Sequence, residues 1–278
     1  MQDKTNTNKG KTIIQVKSVE KDFLVGEQKI KVLKGVSLSI SEGDFVIIFG
    51  PSGCGKSTLL HGVLGLEPPT RGSILYKGKD LYSLGEDERV EYRKDNIGMI
   101  YQQSIWIKSL NVERNVSFPL DLYGIDALEV AKKASQVLKI VEMEEWKDHW
   151  PTELSSGQQQ RVSAARALIT DPTLIIADEP TGNLDSASGK ELMDLMQGLN
   201  KRGKTIIMVT HDLAYLTYAN RIFHIVDGML EHEYLEKDKH LLIKKLSLNV
   251  GFINKKPLNG DKIKKPLNGE EKLSIIKQ

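Results

Sequence analysis

The sequence contains a single cysteine, Cys54, among its 278 residues. One thiol excludes an internal disulfide framework and is typical of proteins from a reducing compartment such as the cytosol. Aromatic residues make up only 6% of the chain and the formal net charge is only +2. Because the charge is small and no basic helix is interleaved with aromatic residues, we expect no nucleic-acid partner.

Long hydrophobic runs are also missing. Apolar segments such as "FVIIFG" and "LIIAD" are far shorter than the roughly 20 residues that span a bilayer. The first ten residues, "MQDKTNTNKG", lack the apolar segment of a signal peptide. We therefore expect no membrane anchor in the chain, so that any work at a membrane would depend on a partner.

What the sequence does contain is a series of short, β-branched apolar runs that helical patterns separate. Hydrophobic residues form 40% of the chain, enough to bury a sizeable core. Continuous apolar runs are typical of strands buried on both faces, so we predict an α/β fold with a parallel core sheet. The runs are Ile13–Val16, Phe45–Phe49, Ile97–Tyr101, Leu174–Ala177, Ile206–Val209 and Ile222–Val226.

Two further parts are predicted around this core. The segments "IKVLKGVSLSI" and "GSILYKG" alternate more strongly and indicate an attached antiparallel β-subdomain. Strand signals fade over residues 110–166, where helical spacing predicts an inserted helical subdomain.

The ends of the chain differ from this central part in composition. We predict a flexible N-terminus over 1–12, a central folded domain over 13–231 and a Lys-rich C-terminal extension over 232–278. Because this extension repeats "KKPLNG" and is rich in Lys, Asn and Pro, we expect a mobile tail. A small folded cap and contact with anionic lipid are the alternatives.

The segment "GPSGCGKST", residues 50–58, follows a buried-strand pattern and precedes a helical one. Glycines let successive backbone N–H groups point into one concavity, and the helix N-terminus adds its positive end. We expect this loop to hold a phosphate chain, with Lys56 at the β- and γ-phosphates, Ser57 on Mg²⁺ and Thr58 near the α-phosphate. The backbone of the loop would come from Gly50, Pro51, Ser52, Gly53, Cys54 and Gly55.

A second acidic signal follows the strand "TLIIA". Asp178 and Glu179 stand at its carboxyl end, where ligands bind in α/β sheets. Asp178 is suited to the Mg²⁺ shell, and Glu179 to orienting or deprotonating an attacking water. With the phosphate loop, this pair indicates a hydrolytic function.

At this point the chain resembles the ABC-type ATPases, the ATP-binding subunits of ATP-binding cassette transporters, which have a P-loop NTPase fold. The resemblance extends over residues 13–230 and rests on motifs in the family's order. These motifs are "GPSGCGKST" (Walker A), "YQQ" (Q-loop), "LSSGQQQR" (signature), "LIIADEP" (Walker B), "GNLDS" (D-loop) and "THD" (switch histidine).

The resemblance implies roles for further residues. Phe23 would stack on adenine, Gln102 would reach Mg²⁺ or the attacking water with Gln103 as its alternative, and His211 would hold the γ-phosphate. Asp185 would bridge to a second nucleotide-binding subunit. The signature residues Ser155, Gly157 and Gln158 would complete the ATP site of that second subunit, so that two chains, most simply a homodimer, sandwich two ATP molecules.

The signature departs from the family's usual L-S-G-G-Q, because Ser156 replaces the first glycine of the pair. If this position requires a positive φ, serine costs on the order of 1 kcal/mol there. A weakened ATP sandwich and a low-turnover ATP switch are therefore alternatives to a competent ATPase.

Within the family, "DFLVGEQKIKVLKGVSLSI" and "DEPTGNLDS" most resemble the lipoprotein-releasing and macrolide-export group (LolD/MacB) and the cell-division ATPase FtsE. This implies an integral membrane, permease-type partner and a position at the cytoplasmic face of the membrane. Trp106, Ile107 and Leu110 either line a groove for that partner or belong to the core. A soluble ABC ATPase acting on DNA or ribosomes is a further alternative.

Overall fold

A computed structural model describes residues 10–121 and 123–242 of the chain. The chain divides into two units, Met1–His240 and Leu241–Gln278. Only Leu241 and Leu242 of the second unit are described, so the architecture below is that of the first unit. Most of the predicted flexible N-terminus and both copies of "KKPLNG" lie outside the described residues.

The described part of the chain begins with antiparallel strands and then alternates strands with helices. The strands are β1 (Thr12–Val25), β2 (Gln28–Ser41), β3 (Phe45–Phe49), β4 (Arg71–Tyr76), β5 (Lys79–Asp80), β6 (Ile97–Tyr101), β7 (Leu174–Asp178), β8 (Thr205–Thr210), β9 (Arg221–Val226) and β10 (Met229–Leu235). The helices are α1 (Lys56–Val63), α2 (Glu86–Asn96), α3 (Val112–Asp121), α4 (Ala127–Ile140), α5 (Ser156–Leu168) and α6 (Ser186–Lys201). Short 3₁₀ turns occupy Leu81–Ser83, Glu144–Trp146, Pro151–Glu153 and Leu213–Tyr218.

The centre of the fold is a six-stranded sheet with the order β10-β9-β3-β8-β7-β6. Neighbouring strands from β9 to β6 are parallel. Every residue of β3 and β8 is buried, since helices cover a parallel sheet on both faces. The predicted parallel core is thereby confirmed. Five of the six apolar runs form strands of this sheet.

The sixth run, Ile13–Val16, lies elsewhere, in an antiparallel sheet with the order β2-β1-β4-β5. Its two adjacent apolar residues, Ile13 and Ile14, are both buried beside an irregularity in pairing between Thr12 and Ile14. A bulge of this kind breaks the alternation that an antiparallel strand normally shows. The antiparallel sheet that the sequence predicts from the β2 and β4 segments is present.

Helices α3, α4 and α5 pack together between β6 and β7 of the chain. On α4 the buried residues Val130, Ala134, Val137 and Leu138 follow the three- and four-residue spacing of an amphipathic helix. No described residue from 102 to 173 belongs to a strand. This strand-free stretch includes residues 110–166, where helical spacing predicts a helical subdomain.

Strand β10 crosses residue 231, where the sequence analysis ends the core. It pairs antiparallel with β9, from Met229 opposite Val226 to Leu235 opposite Arg221. The connecting residues Asp227 and Gly228 have φ values of 47° and 77°, as a tight two-residue hairpin requires. The Asp-Gly pair is the local signal that would have extended the predicted core.

Helix α1 lies between the two sheets. Its residues Leu59, Leu60 and Val63 join one buried cluster with residues of both sheets. Tyr82 and Tyr92 donate hydrogen bonds to the carbonyls of Gly62 and Val63 at 2.9 and 3.0 Å, which satisfies the end of this helix. Within residues 10–121 and 123–242, no helix has the length and hydropathy that crossing a bilayer requires.

Candidate functional site

The glycine-rich loop connects β3 to α1 at the carboxyl edge of the parallel sheet. Gly55, the residue before α1, has φ 100° and ψ 7°, a left-handed conformation that favours glycine. A Cβ there would also lie 2.8 Å from Leu33 Cδ2. The loop therefore turns directly into the helix, whose first N–H groups lack intrahelical partners and face the loop.

Lys56 is the first residue of α1 and is only 7% exposed. Its Nζ donates hydrogen bonds to the carbonyls of Gly50 and Pro51, both at 2.9 Å. These bonds hold the ammonium group across the loop rather than in solvent. A buried cation at a helix N-terminus is a strong anion-binding arrangement.

The loop borders an open cleft of about 390 Å³. Residues far apart in the sequence meet there, including the predicted glutamine, glutamate and histidine. The cleft is lined by Val32, Ser52, Gly53, Gly55, Lys56, Ser57, Thr58, Gln102, Glu179 and His211. Cys54 is buried beneath the loop, so it contributes backbone rather than a reactive side chain.

Glu179 and His211 form a close pair in this cleft. Glu179 Oε2 lies 2.9 Å from His211 Nδ1 and 3.3 Å from the His211 backbone N, which donates to it. Glu179 has φ 47°, a left-handed conformation that is costly for a residue with a side chain. Backbone strain of this kind concentrates at functional sites, where surrounding contacts maintain it.

Asp178 ends β7 beside this pair. Burial, followed by repulsion from Glu179, raises the pKa of the Asp178 carboxyl above its usual value. Its Oδ1 is buried without a hydrogen-bond partner. A carboxylate oxygen held in this way is available to a cation or to a cation's water shell.

Gln102 follows β6, the strand next to β7. Its Nε2 lies so near Gly182 that a Cβ on that glycine would come within 2.7 Å. The Gln102 carbonyl accepts a hydrogen bond from Asn183 Nδ2 at 3.3 Å. Gln103 is exposed and is not among the cleft residues.

The predicted ligands of Mg²⁺ fit that ion. Ser57 supplies a hydroxyl at the cleft, Gln102 an amide oxygen, and Asp178 the unpaired carboxylate oxygen. Mg²⁺ is bound by a few oxygen ligands together with substrate phosphates and water. The donor set therefore suits a magnesium nucleotide.

The signature residues do not line the cleft of their own chain. Ser155 caps α5, and its Oγ accepts a hydrogen bond from the Gln158 N–H at 3.3 Å. In return Gln158 Oε1 accepts one from the Ser155 N–H at 2.9 Å. Gly157 is buried behind them in the first turn. This end of α5 is a second helix N-terminus, separate from the glycine-rich loop.

Ser156 is the first residue of α5 and does not have a positive φ. The replacement of glycine by serine in the signature therefore brings no left-handed strain. The side chain is exposed, so the first turn of the helix accommodates it.

Asp185 and Phe23 also lie outside the cleft. Asp185 caps α6 by accepting hydrogen bonds from the Ala187 and Ser188 N–H groups. Hydrogen bonds from the Ser188 backbone and side chain lower the pKa of Asp185. Phe23 is half-buried on β1, with the Lys21 ammonium 5.0 Å from its ring centroid.

Two residues of interest were missed by the sequence analysis. Gln160 is buried in α5 and donates hydrogen bonds to the carbonyls of Tyr101 and Pro180, which are next to Gln102 and Glu179 in the sequence. Ile105, just after the Q-loop, is 72% exposed. Trp106, by contrast, is half-buried and donates a hydrogen bond to Gln159 Oε1 at 3.0 Å. Only hydrophobicity in a loop could have drawn attention to Ile105, and no local signal distinguishes Gln160.

The chain is similar to known ATP-binding proteins. A family model described as ABC transporter matches residues 33–182. An uncharacterized ABC transporter ATP-binding protein of Methanocaldococcus jannaschii is 46% identical over 216 residues, which cover 78% of this chain and 96% of that protein. The macrolide export ATP-binding/permease protein MacB of Shewanella sp. (strain ANA-3) is 43% identical over 79% of this chain, which spans 34% of MacB.

Solved structures of ATP-binding cassettes are also similar to this chain. The dimeric structure of the ATP-binding cassette MJ0796 in a post-hydrolysis state, bound to ADP and Pi, has a TM-score of 0.75 and 40% identity. The match covers 81% of this chain and 99% of that one.

Proposed function

This chain belongs to the ABC transporter family of ATP-binding proteins, the ATPases that drive transport, and we propose that two copies sandwich ATP beneath a separate membrane subunit. The observation that carries the proposal is the convergence of Lys56, Glu179 and His211 on one cleft. Lys56 begins the helix after β3, and Glu179 and His211 directly follow the parallel strands β7 and β8.

ATP hydrolysis follows from the chemistry of that cleft. Loop amides and Lys56 would hold the β- and γ-phosphates, and Thr58 would lie near the α-phosphate. Phe23 would stack on the adenine. Bound with ATP, Mg²⁺ would neutralise phosphate charge, and Ser57, Gln102 and Asp178 would hold it.

Glu179 is the proposed catalytic residue. It would take a proton from a water whose oxygen forms a bond to the γ-phosphorus as the bond to the ADP oxygen breaks. The products are ADP and phosphate. His211, 2.9 Å from the Glu179 carboxylate, would orient Glu179 and hold the γ-phosphate.

The proposed dimer explains the signature residues. Ser155, Gly157 and Gln158 lie at a helix N-terminus that is suited to an anion and does not line the glycine-rich cleft of their own chain. They would contact the γ-phosphate bound to the second chain, with Asp185 beside that interface. The dimeric MJ0796 cassette supports this arrangement.

The proposed membrane partner is a permease-type subunit of the lipoprotein-release or macrolide-export type. MacB is named an ATP-binding/permease protein, and this chain aligns with a third of its length. The chain would therefore work at the cytoplasmic face of the membrane, bound to a subunit that supplies the membrane part. Loss of γ-phosphate contacts after hydrolysis would loosen the dimer and reset that subunit.

The molar mass of Glu179→Gln in solution, with and without ATP and Mg²⁺, tests this function. We expect ATP to double the mass, because hydrolysis no longer releases the γ-phosphate contacts. Lys56→Ala in the same background is the control and should stay a monomer. A monomer under all conditions, despite measured ATP binding, would contradict the dimer, and absence of phosphate release by the unmodified chain would contradict the ATPase.

A further inference from the structure

Gln160 lies one turn into α5 and is only 3% exposed. Its Nε2 donates hydrogen bonds to the carbonyls of Tyr101 at 2.7 Å and Pro180 at 2.8 Å. Its Oε1 accepts a hydrogen bond from Ser104 Oγ at 2.8 Å. The amide nitrogen and the amide oxygen are therefore both used, and they join two segments of the chain, residues 101–104 at the end of β6 and Pro180 after β7.

These segments flank the residues to which the proposed function assigns hydrolysis. Tyr101 directly precedes Gln102, and Pro180 directly follows Glu179. One buried amide thus holds the backbone beside both side chains at once. Since Glu179 has a left-handed backbone with φ 47°, the turn at this residue depends on contacts of this kind.

The same helix begins at the signature. Ser155 caps α5 five residues before Gln160, so a rigid stretch of helix joins the signature to this amide. Helix α5 also packs very closely on β6, because a Cβ on Gly98 would lie 2.1 Å from the Ala167 carbonyl oxygen. A displacement of the signature end is therefore transmitted to the segments around Gln102 and Glu179.

We propose that Gln160 is a positioning residue that couples the two ATP sites of the dimer. This inference rests on the proposed function, since it requires the signature to contact ATP bound to the second chain. ATP held by the signature would fix α5, and Gln160 would then fix Glu179 and Gln102 in the cleft of its own chain. Hydrolysis in one site would therefore depend on ATP in the other.

The test compares Gln160→Met with the unmodified chain in steady-state ATP hydrolysis and in equilibrium ATP binding. Methionine has a similar length but makes none of the three hydrogen bonds. We expect kcat to fall by about tenfold to a hundredfold, as for small misplacements of catalytic groups. The Kd for ATP should change by less than about twofold, because Gln160 does not line the cleft.

Cooperativity is the readout that a merely structural role would not change. The Hill coefficient for ATP should exceed one in the unmodified chain and fall to one in Gln160→Met. Gln136→Met, at an exposed position on α4, is the matched control and should change nothing. Leu199→Ala, at a buried position on α6, is the control for lost packing and should lower Tm while the Hill coefficient stays above one.

Gln160→Glu keeps the shape and the acceptor for Ser104 but lacks the N–H donors, and it replaces the methionine variant if that variant does not fold. Unchanged kcat and cooperativity in a folded variant would overturn the inference, as would a Hill coefficient of one in an active unmodified chain. An unmodified chain that neither dimerises nor hydrolyses ATP would instead overturn the proposed function.

Discussion

At the scale of single residues, the cleft and the adjacent end of β7 have features that folding alone does not favour. Asp178 Oδ1 is buried without a partner, Glu179 has a left-handed backbone, and Lys56 is buried as a cation. Each arrangement costs free energy in a chain without ligand. Bound phosphate and Mg²⁺ would offset these costs, which supports their assignment to this cleft.

Asp178 leads to a prediction about pH. Because burial raises the pKa of its carboxyl, Asp178 takes up a proton at a higher pH than an exposed aspartate does. Mg²⁺ requires the ionised form, so acidification through this raised pKa should increase the Mg²⁺ concentration needed for half-maximal ATP hydrolysis. For Asp178→Asn we expect the Mg²⁺ concentration for half-maximal hydrolysis to be at least about tenfold higher. This concentration should also depend less on pH, because asparagine does not titrate.

Mg²⁺ titrations of ATP hydrolysis over a range of pH values would measure this effect. Asp171→Asn is a suitable control, because Asp171 is exposed and pairs with Lys204 rather than with a cleft residue. A pH profile for Asp178→Asn that coincides with that of the control would show that Asp178 does not hold the ion.

At the scale of the elements, the position of α5 on β6 depends on one glycine. Gly98 allows the Ala167 carbonyl of α5 to approach the strand to a distance that any side chain would prevent. The sequence predicts β6 and the helix separately but contains no sign of this contact. Close approach of a helix to a strand is decided when both are packed, because it involves residues 69 positions apart.

Gly98→Ala should therefore lower the free energy of unfolding by about 2 kcal/mol, since backbone atoms of α5 must move to admit the methyl group. Gly198→Ala is the matched control within α6, where a Cβ would meet nothing within 4 Å. That change should raise stability by about 0.5–1 kcal/mol, as alanine favours helix over glycine. Urea unfolding would measure both, and equal shifts in the two variants would contradict the close packing of α5 on β6.

At the scale of the whole molecule, the proposed dimer would divide each ATP site between two chains. The glycine-rich loop lines a cleft, whereas the signature end of α5 lies outside it. In a head-to-tail dimer each complete site takes its loop from one chain and its signature from the other. Two chains with different defects should then restore each other.

Mixing Lys56→Ala with Ser155→Arg tests this arrangement, since each variant alone lacks a complete site. Each mixed dimer has one complete site, so in the Glu179→Gln background ATP should join the two variants in a mixed dimer although neither variant dimerises with itself. Labelled chains and bound ATP would report pairing and site occupancy together. Failure of ATP to pair the two folded variants would exclude shared sites.

From the sequence by itself one could determine the parallel core, the added antiparallel strands and the helical part, together with the family that the motifs resemble. These features depend on short-range patterns, in which apolar runs specify buried strands and glycine spacing specifies a phosphate loop. The β10 extension was missed although its Asp-Gly turn is a local signal. The sequence did not show that Ile13–Val16 belongs to the antiparallel sheet, because a bulge disrupts the apolar–polar alternation of β1.

Only the tertiary structure decided which residues meet. The pairing of Glu179 with His211, the unpaired oxygen of Asp178, the absence of strain at Ser156 and the three contacts of Gln160 all depend on packing between distant segments. A glutamine in the sequence is equally compatible with a surface or with a buried position. Its environment depends on which strands and helices surround it, and local sequence patterns do not specify that arrangement.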